Sequence, residues 1–223
     1  MNKANAIWYA EKYSSINITG DPSSYFFRKM HSIIEYNVVS PKNSKILEVG
    51  GNIGEHITFV NRTWASYTLT DIRSPSKHAV KKIEKLGATF MKANVQKLPF
   101  RSSTFDRVIS TCLFHHLDNP TDGFKEIKRV LKNGGYATIL LPNDPGWFYN
   151  FIRKHTTLRR ARHQGLLSEA ELIFATEHRN HYLSLRTIAK DVFANDETKF
   201  IGFPFKKDWY NMNALTVLSI RKK

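Results

Sequence analysis

The chain has a single cysteine, Cys112, among its 223 residues. No internal disulfide can form, and a zinc site built from several thiolates is excluded. Proline (8) and glycine (11) are both sparse, which sets aside fibrous and low-complexity classes. Long hydrophobic runs are missing too. The stretch around Tyr136–Leu141 is far shorter than the roughly 20 residues a spanning helix needs. Met1 to Trp8 lack the apolar run of a secretory signal, so a reduced, cytoplasmic setting is expected. Acid is the remaining shortage: 19 Asp+Glu stand against 34 Lys+Arg, a formal net charge of +15. That balance favours anionic partners, whether nucleic acid, an anionic membrane surface or a phosphorylated molecule, without choosing among them.

What is present is enough for one sizeable core: 41% hydrophobic and 24% charged residues. Residues 1–43 read as an N-terminal helical cap. Asp21-Pro22 has the form of an N-cap followed by proline at the first helical position. Phe26, Phe27, Met30, Ile33 and Ile34 then recur at helical spacing. From residue 44 the pattern changes to short β-rich runs alternating with helix-like segments. Strands are expected at Lys45–Val49, Tyr67–Asp71, Thr89–Lys92, Asp106–Thr111, Ala137–Leu141, Lys199–Phe205 and Leu215–Arg221. Helices are expected near Glu55–Arg62, Ser76–Leu86 and Asp122–Leu131, with Asn133-Gly134-Gly135 as a helix stop and turn. This rhythm implies βαβ units and a mostly parallel sheet of seven strands, helices on both faces, the last strand antiparallel. Residues 143–197 carry further helix-like segments (Trp147–Lys154, Ser168–Ala175, Leu183–Phe193). They exceed what one crossover needs and read as a helical insertion capping the site after strand 5.

Five local patterns carry chemistry. Ile46-Leu47-Glu48-Val49-Gly50-Gly51-Asn52-Ile53-Gly54 runs from a strand through a glycine-rich turn towards a helix. Glycine lets backbone approach a ligand. The spacing is not that of a G-x-G-x-x-G phosphate cradle, and a carboxylate at Glu48 suits an ammonium group better than a pyrophosphate. Asp71 ends the second strand, where in Rossmann-type folds an acid accepts hydrogen bonds from a ribose diol. Asn94 follows the third strand, where its amide can read an adenine edge. The fourth strand opens into Leu113-Phe114-His115-His116-Leu117. The fifth pattern is the helix and turn from Gly123 to Gly135.

In this order, over residues 44–142, the five patterns resemble the class I S-adenosylmethionine-dependent methyltransferase family, in particular small bacterial enzymes acting on diverse small molecules. The resemblance implies a Rossmann-like domain with S-adenosylmethionine as cofactor. It implies that Glu48, Gly50, Gly51, Asn52 and Gly54 surround the methionine part. Asp71 and Ile72 fall at the ribose, Asn94 and Val95 at the adenine, and Thr111 and Tyr13 elsewhere around the cofactor. Asn94 stands where aspartate is commoner, and its donor and acceptor should keep adenine selectivity; Asn52 stands where the family has its second glycine, so weaker or shifted binding is expected.

A hydroxyl acceptor must lose a proton, and histidine suits that task near neutral pH. His181 and His178, at helical i, i+3 spacing if that segment is a helix, and His116 are the candidate bases. His115, Arg153, Arg159, Arg160 and Tyr182 are candidate acceptor contacts. Residues 153–163 hold five permanent positive charges and suit a phosphate. With no clear carboxylate beside the two cap histidines and no acidic cluster after the fourth strand, no metal is expected. The expected activity is methyl transfer to a small molecule, at a hydroxyl of a sugar or of a phosphorylated or nucleotide-linked metabolite. RNA methylation, for which charge is the only support, and a non-catalytic binding module are the alternatives.

Overall fold

The computed structural model describes residues 22–36, 38, 42–61 and 63–223. Trp8, Tyr9, Tyr13 and the Asp21 cap lie outside the described residues. Helix α1 (Pro22–Glu35) leads into β1 (Lys45–Val49), β2 (Ser66–Asp71), α2 (Lys77–Lys85), β3 (Thr89–Lys92) and β4 (Phe105–Thr111). Then come α3 (Pro120–Val130), β5 (Leu131–Pro142) and four helices of the insertion: α4 (Trp147–His155), α5 (Thr157–His163), α6 (Leu167–Glu177) and α7 (Tyr182–Val192). The hairpin β6 (Glu197–Phe203) and β7 (Leu215–Arg221) ends the chain.

The sheet order is β3-β2-β1-β4-β5-β7-β6. The first five strands are parallel, and β7 runs antiparallel between β5 and β6. Side chains alternate between two cores, as the two-residue strand period requires. Leu47, Val108, Ile139 and Leu141 face α3 and α7, packing with Phe124, Ile127 and Leu185. Ile46, Ile109 and Leu140 face the other side, with Ile34 of α1 and Ile83 of α2. The order reverses between β1 and β4, so the crevice beyond their C-terminal ends is where this topology seats a ligand.

Local chemistry explains most boundaries. Ser76 caps α2 by accepting from the Ala79 amide at 3.2 Å. Asn119 caps α3, with Pro120 in the first turn. Three expectations need correction. The segment after the glycine turn is one short 3-10 turn, His56–Phe59, and the chain is already extended at Val60 where a longer helix was expected. Asn133-Gly134-Gly135 is not a turn before the strand but part of β5, tied to the C-terminus by Gly134 N donating to the Lys222 carbonyl at 2.7 Å. Strand β6 lies two residues earlier than expected, because Phe205 belongs to the connection and donates its amide to Asn213 Oδ1.

Candidate active site

Strand β1 ends in a turn with Gly50 at φ +70°, Asn52 at +48° and Gly54 at +80°. Asparagine tolerates this left-handed region better than most non-glycine residues, which is how it occupies the glycine position. Gly51 is needed for space: a Cβ there would sit 2.7 Å from Leu69 Cγ and 2.9 Å from the Glu48 carboxyl carbon. The amides of Gly50 and Gly51 donate to the Thr70 carbonyl at 2.8 and 3.1 Å, locking the turn to β2. Asp71, at the end of β2, accepts from the Asn52 amide (3.2 Å) and the Arg73 amide (2.9 Å), one on each oxygen. An ionised carboxylate has about four acceptor sites, so capacity for a diol remains.

Glu48 lies buried beneath this turn and accepts from the Tyr67 hydroxyl at 2.6 Å. Burial pushes its pKa up to about 8; the tyrosine hydrogen bond opposes the rise and Glu55 adds to it. A cation beside it would restore the ionised form. After β3, Asn94 Oδ1 accepts from the Gln96 amide at 3.0 Å, closing a local turn and leaving the NH₂ as a donor. These groups, with Ile72, Thr111, Cys112, Leu113 and His116, wall a cavity of about 240 Å³.

Helix α1 closes one side of this cavity through Met30 and His31. His31 Nδ1 lies 2.9 Å from His56 Nδ1, and His56 Nε2 donates to Glu35 Oε1 at 2.9 Å. Glu35 also takes two hydrogen bonds from Arg107, at 2.8 and 2.5 Å. Burial alone would raise the Glu35 pKa, but the bonds from His56 and Arg107 and the arginine charge hold it below the usual carboxylate range. Burial, helped by His56, takes His31 down to about 3. None of these four residues was expected at the site. The available signals were Arg107 inside an otherwise apolar strand, and His31 and Glu35 one helical turn apart.

The histidines gather at the end of β4. His115 and His116 sit on a 3-10 turn, Phe114–His116, and residues 177–182 fold back against it. The amides of Arg179 and Asn180 donate to the His115 carbonyl at 2.8 and 3.1 Å. Asn180 Nδ2 donates to the Leu117 carbonyl at 2.6 Å, and His116 Nδ1 donates to the Glu177 carbonyl at 2.9 Å. The rings of His115 and His116 are 3.9 Å apart, and His178 lies 4.4 and 5.2 Å from them. Burial and then the neighbouring His178 lower His116 to about 3; burial likewise takes His115 well down.

His178 and His181 do not share a helix face. His178 ends α6 and His181 precedes α7, with the turn between them. His178 has the carboxylate partner that the sequence did not reveal: its Nδ1 donates to Asp144 Oδ2 at 2.6 Å. His181 is exposed and lines a second hollow of about 350 Å³, with Asp144, Arg153, Glu171 and His178.

Other expected residues fall elsewhere. Val95 is buried in the core, and Gly54 packs under the turn against Ile57 and Ile83. Tyr182 cannot reach an acceptor as expected, because it is buried and its hydroxyl donates to Asp208. Arg153 reaches Asp144 at 3.4 Å and stacks over Tyr149 and Phe174. Arg159 and Arg160 lie on α5 and line neither hollow. Cys112 lines the cavity, but burial pushes its thiol up to about 12 and its Sγ faces Met30 Sδ at 3.8 Å, so it is no nucleophile at neutral pH.

Residues 47–139 match the model of a methyltransferase domain. Over 159 residues the chain is 28% identical to the chloroplastic 2-methyl-6-phytyl-1,4-hydroquinone methyltransferase 2 of Oryza sativa subsp. japonica, covering 68% of this chain and 45% of that one. Over 142 residues it is 28% identical to the ubiquinone/menaquinone biosynthesis C-methyltransferase of Agrobacterium fabrum, covering 59% of this chain and 54% of that one. It thus spans about half the length of these relatives. Among solved structures, a methyltransferase from Thermotoga maritima, described as a possible histamine N-methyltransferase, superposes with a TM-score of 0.65 at 14% identity, over 97% of this chain and 96% of that one.

The fold is that of the class I methyltransferases. Residues 47–139 carry the methyltransferase-domain pattern, and the cofactor such a domain implies is S-adenosylmethionine. The residues present fit that cofactor. The cradle is bare backbone at Gly50 and Gly51, Asp71 keeps acceptor capacity for the ribose, and Glu48 is poised to ionise beside a cation.

Proposed function

We propose that this chain transfers a methyl group to a small apolar acceptor of the hydroquinone class. The observation that carries this reading is the character of the cavity beyond the cofactor-binding turn. Its wall has an apolar stretch of Met30, Cys112, Leu113 and Leu117 with the His116 ring among them, beside a charged rim of Asp118, Glu177 and Arg179. The arginines at the two hollows are engaged by carboxylates: Arg73 with Asp71 (3.7 Å), Arg153 with Asp144, and Arg179 with Asp118 and Glu177. A phosphate would have to compete for each of them, which weighs against the nucleotide-linked sugar expected from the sequence. Two relatives named for hydroquinone and quinone-pathway methylation add support.

Bound S-adenosylmethionine supplies an electrophilic methyl group on a sulfonium. The chain's own residues do the rest. Asp71 holds the ribose, Asn94 meets the adenine, and the Gly50–Asn52 backbone takes the methionine end. The apolar wall orients a flat ring and excludes water; such alignment is worth about 7–11 kcal/mol of barrier. An acidic ring hydroxyl gives its proton to His178, which Asp144 orients, while His116, held neutral by burial, lines the cavity and shapes it.

The test is transfer from methyl-labelled S-adenosylmethionine to a panel of reduced hydroquinones with and without isoprenoid tails, beside sugar nucleotides and RNA. Label in a hydroquinone, located on carbon or oxygen by NMR, is the expected result. Label only in a sugar nucleotide or RNA would replace this acceptor. His178→Ala should slow turnover more than His181→Ala, since His181 stands in the outer hollow.

A further inference from the structure

We propose that His115, His116 and His178 form a binding site for one divalent transition-metal ion, zinc by preference, in the wall between the two hollows. One ligating atom from each imidazole lies within 4.8 Å of the others, a spread that a tetrahedral ion draws together with small ring adjustments. Zinc takes imidazole nitrogen at about 2.0–2.1 Å, and three histidine ligands leave a fourth position open.

Three further features of the cluster are those of a metal centre. The first is tautomer control. His178 donates Nδ1–H to Asp144, and His116 donates Nδ1–H to the Glu177 carbonyl, so in the neutral ring each has its lone pair on Nε2. A carboxylate or carbonyl behind the ligand nitrogen is the usual second layer of a histidine–zinc site. The second is an orphaned atom: His115 Nδ1 is buried without a hydrogen-bond partner. A buried polar atom left unsatisfied costs about 1–3 kcal/mol, and an ion would satisfy it. The third is rigidity. Four hydrogen bonds from the backbone and Asn180 fasten residues 177–180 to the Phe114–Leu117 turn, so the rings are held before any ion arrives. His178 borders the outer hollow and His116 the inner one, which offers an entry path and a place where an acceptor oxygen would meet the ion.

Ion binding stands apart from the methyl-transfer reading, and one set of samples separates the two. Tag-free protein is stripped with a chelator and titrated with zinc in a calorimeter and with cobalt(II) in a spectrophotometer. S-adenosylmethionine is titrated into the same preparations to read the cofactor site independently. One ion per chain and the visible ligand-field bands of four-coordinate cobalt are expected. Both should vanish in His178→Ala and His116→Ala, with the fold checked by circular dichroism. Asp144→Asn should weaken affinity by about 10–100-fold, and His155→Ala, an exposed histidine outside the cluster, should change nothing. Wild-type protein that binds S-adenosylmethionine but shows no cobalt bands overturns the site. So does ion binding that survives unchanged in His178→Ala, or in Asp144→Asn should the alanine variants not fold.

Discussion

The two sides of this cavity are built in opposite ways. The glycine-turn side is made from backbone: three positive-φ residues in one turn, two amides bonded to Thr70, and one carboxylate that pins the turn from the next strand. Its parts lie close in sequence, and the βαβ topology brings β1 beside β2 whatever their exposed side chains are. The side of the cavity with the histidines is made from side chains drawn from four distant segments: α1, the 3-10 turn after β4, Asp144 and the α6–α7 turn. A backbone cradle is tolerant and recurs with many acceptors. A side-chain assembly is specific to one chain, and it is held by buried polar bonds that fail together.

That contrast can be broken at four points. The largest effect should follow Glu35→Ala, which leaves the 1% exposed Arg107 without its carboxylate and frees α1. Breaking a buried ion pair from one side costs about 3–5 kcal/mol, read by urea unfolding. A loss under about 1 kcal/mol would mean that packing alone holds α1.

Asp71→Ala comes next. Losing a charged acceptor costs about 1.5–3 kcal/mol, so calorimetry should show S-adenosylmethionine affinity falling by one to two orders of magnitude with the fold kept. An unchanged dissociation constant would remove Asp71 from the ribose.

Acidification should act on the histidine side more gradually. His31 and His116 titrate near 3 when folded and near 6.5 when unfolded. Between these values the unfolded chain holds more protons, so their stabilisation is complete above 6.5 and is lost as pH falls towards 3. Glu48 runs the other way: raised from 4.5 to about 8, its contribution is complete below 4.5 and lost as pH rises to 8. Melting temperature should therefore drop on the acid side, and Glu48→Gln should flatten the alkaline side. A flat acid limb would show these histidines to be solvated. The smallest effect belongs to Arg159→Ala, an exposed helix position that should shift stability by no more than about 0.5 kcal/mol and leave turnover intact. A large loss of activity there would revive an anionic acceptor.

The sheet was legible because its signals are local. Apolar runs of four to seven residues, glycine stops and the two-residue period mark strands without reference to partners, and five patterns in register named the family. Misreadings came where local preference met a tertiary demand. Asn133-Gly134-Gly135 has turn chemistry, but Lys222 holds it as strand. Glu55–Arg62 has helical composition, but one 3-10 turn suffices between the cofactor loop and β2. The charged run at 153–163 promised phosphate recognition, yet its Arg153 is held by Asp144 and two aromatic rings.

By itself the sequence determined the α/β class, the position of the glycine turn and Asp71 as the acid beside it. These depend on backbone conformation and on neighbours in the chain. Only the tertiary structure decided that Glu35 and Arg107, 72 residues apart, seal the N-terminal helix, and that Asp144 orients His178 against His115 and His116. Such pairings carry no local signature. A histidine in a loop has the same composition whether it is solvated or buried, and only the fold's closure removes the water and sets its tautomer.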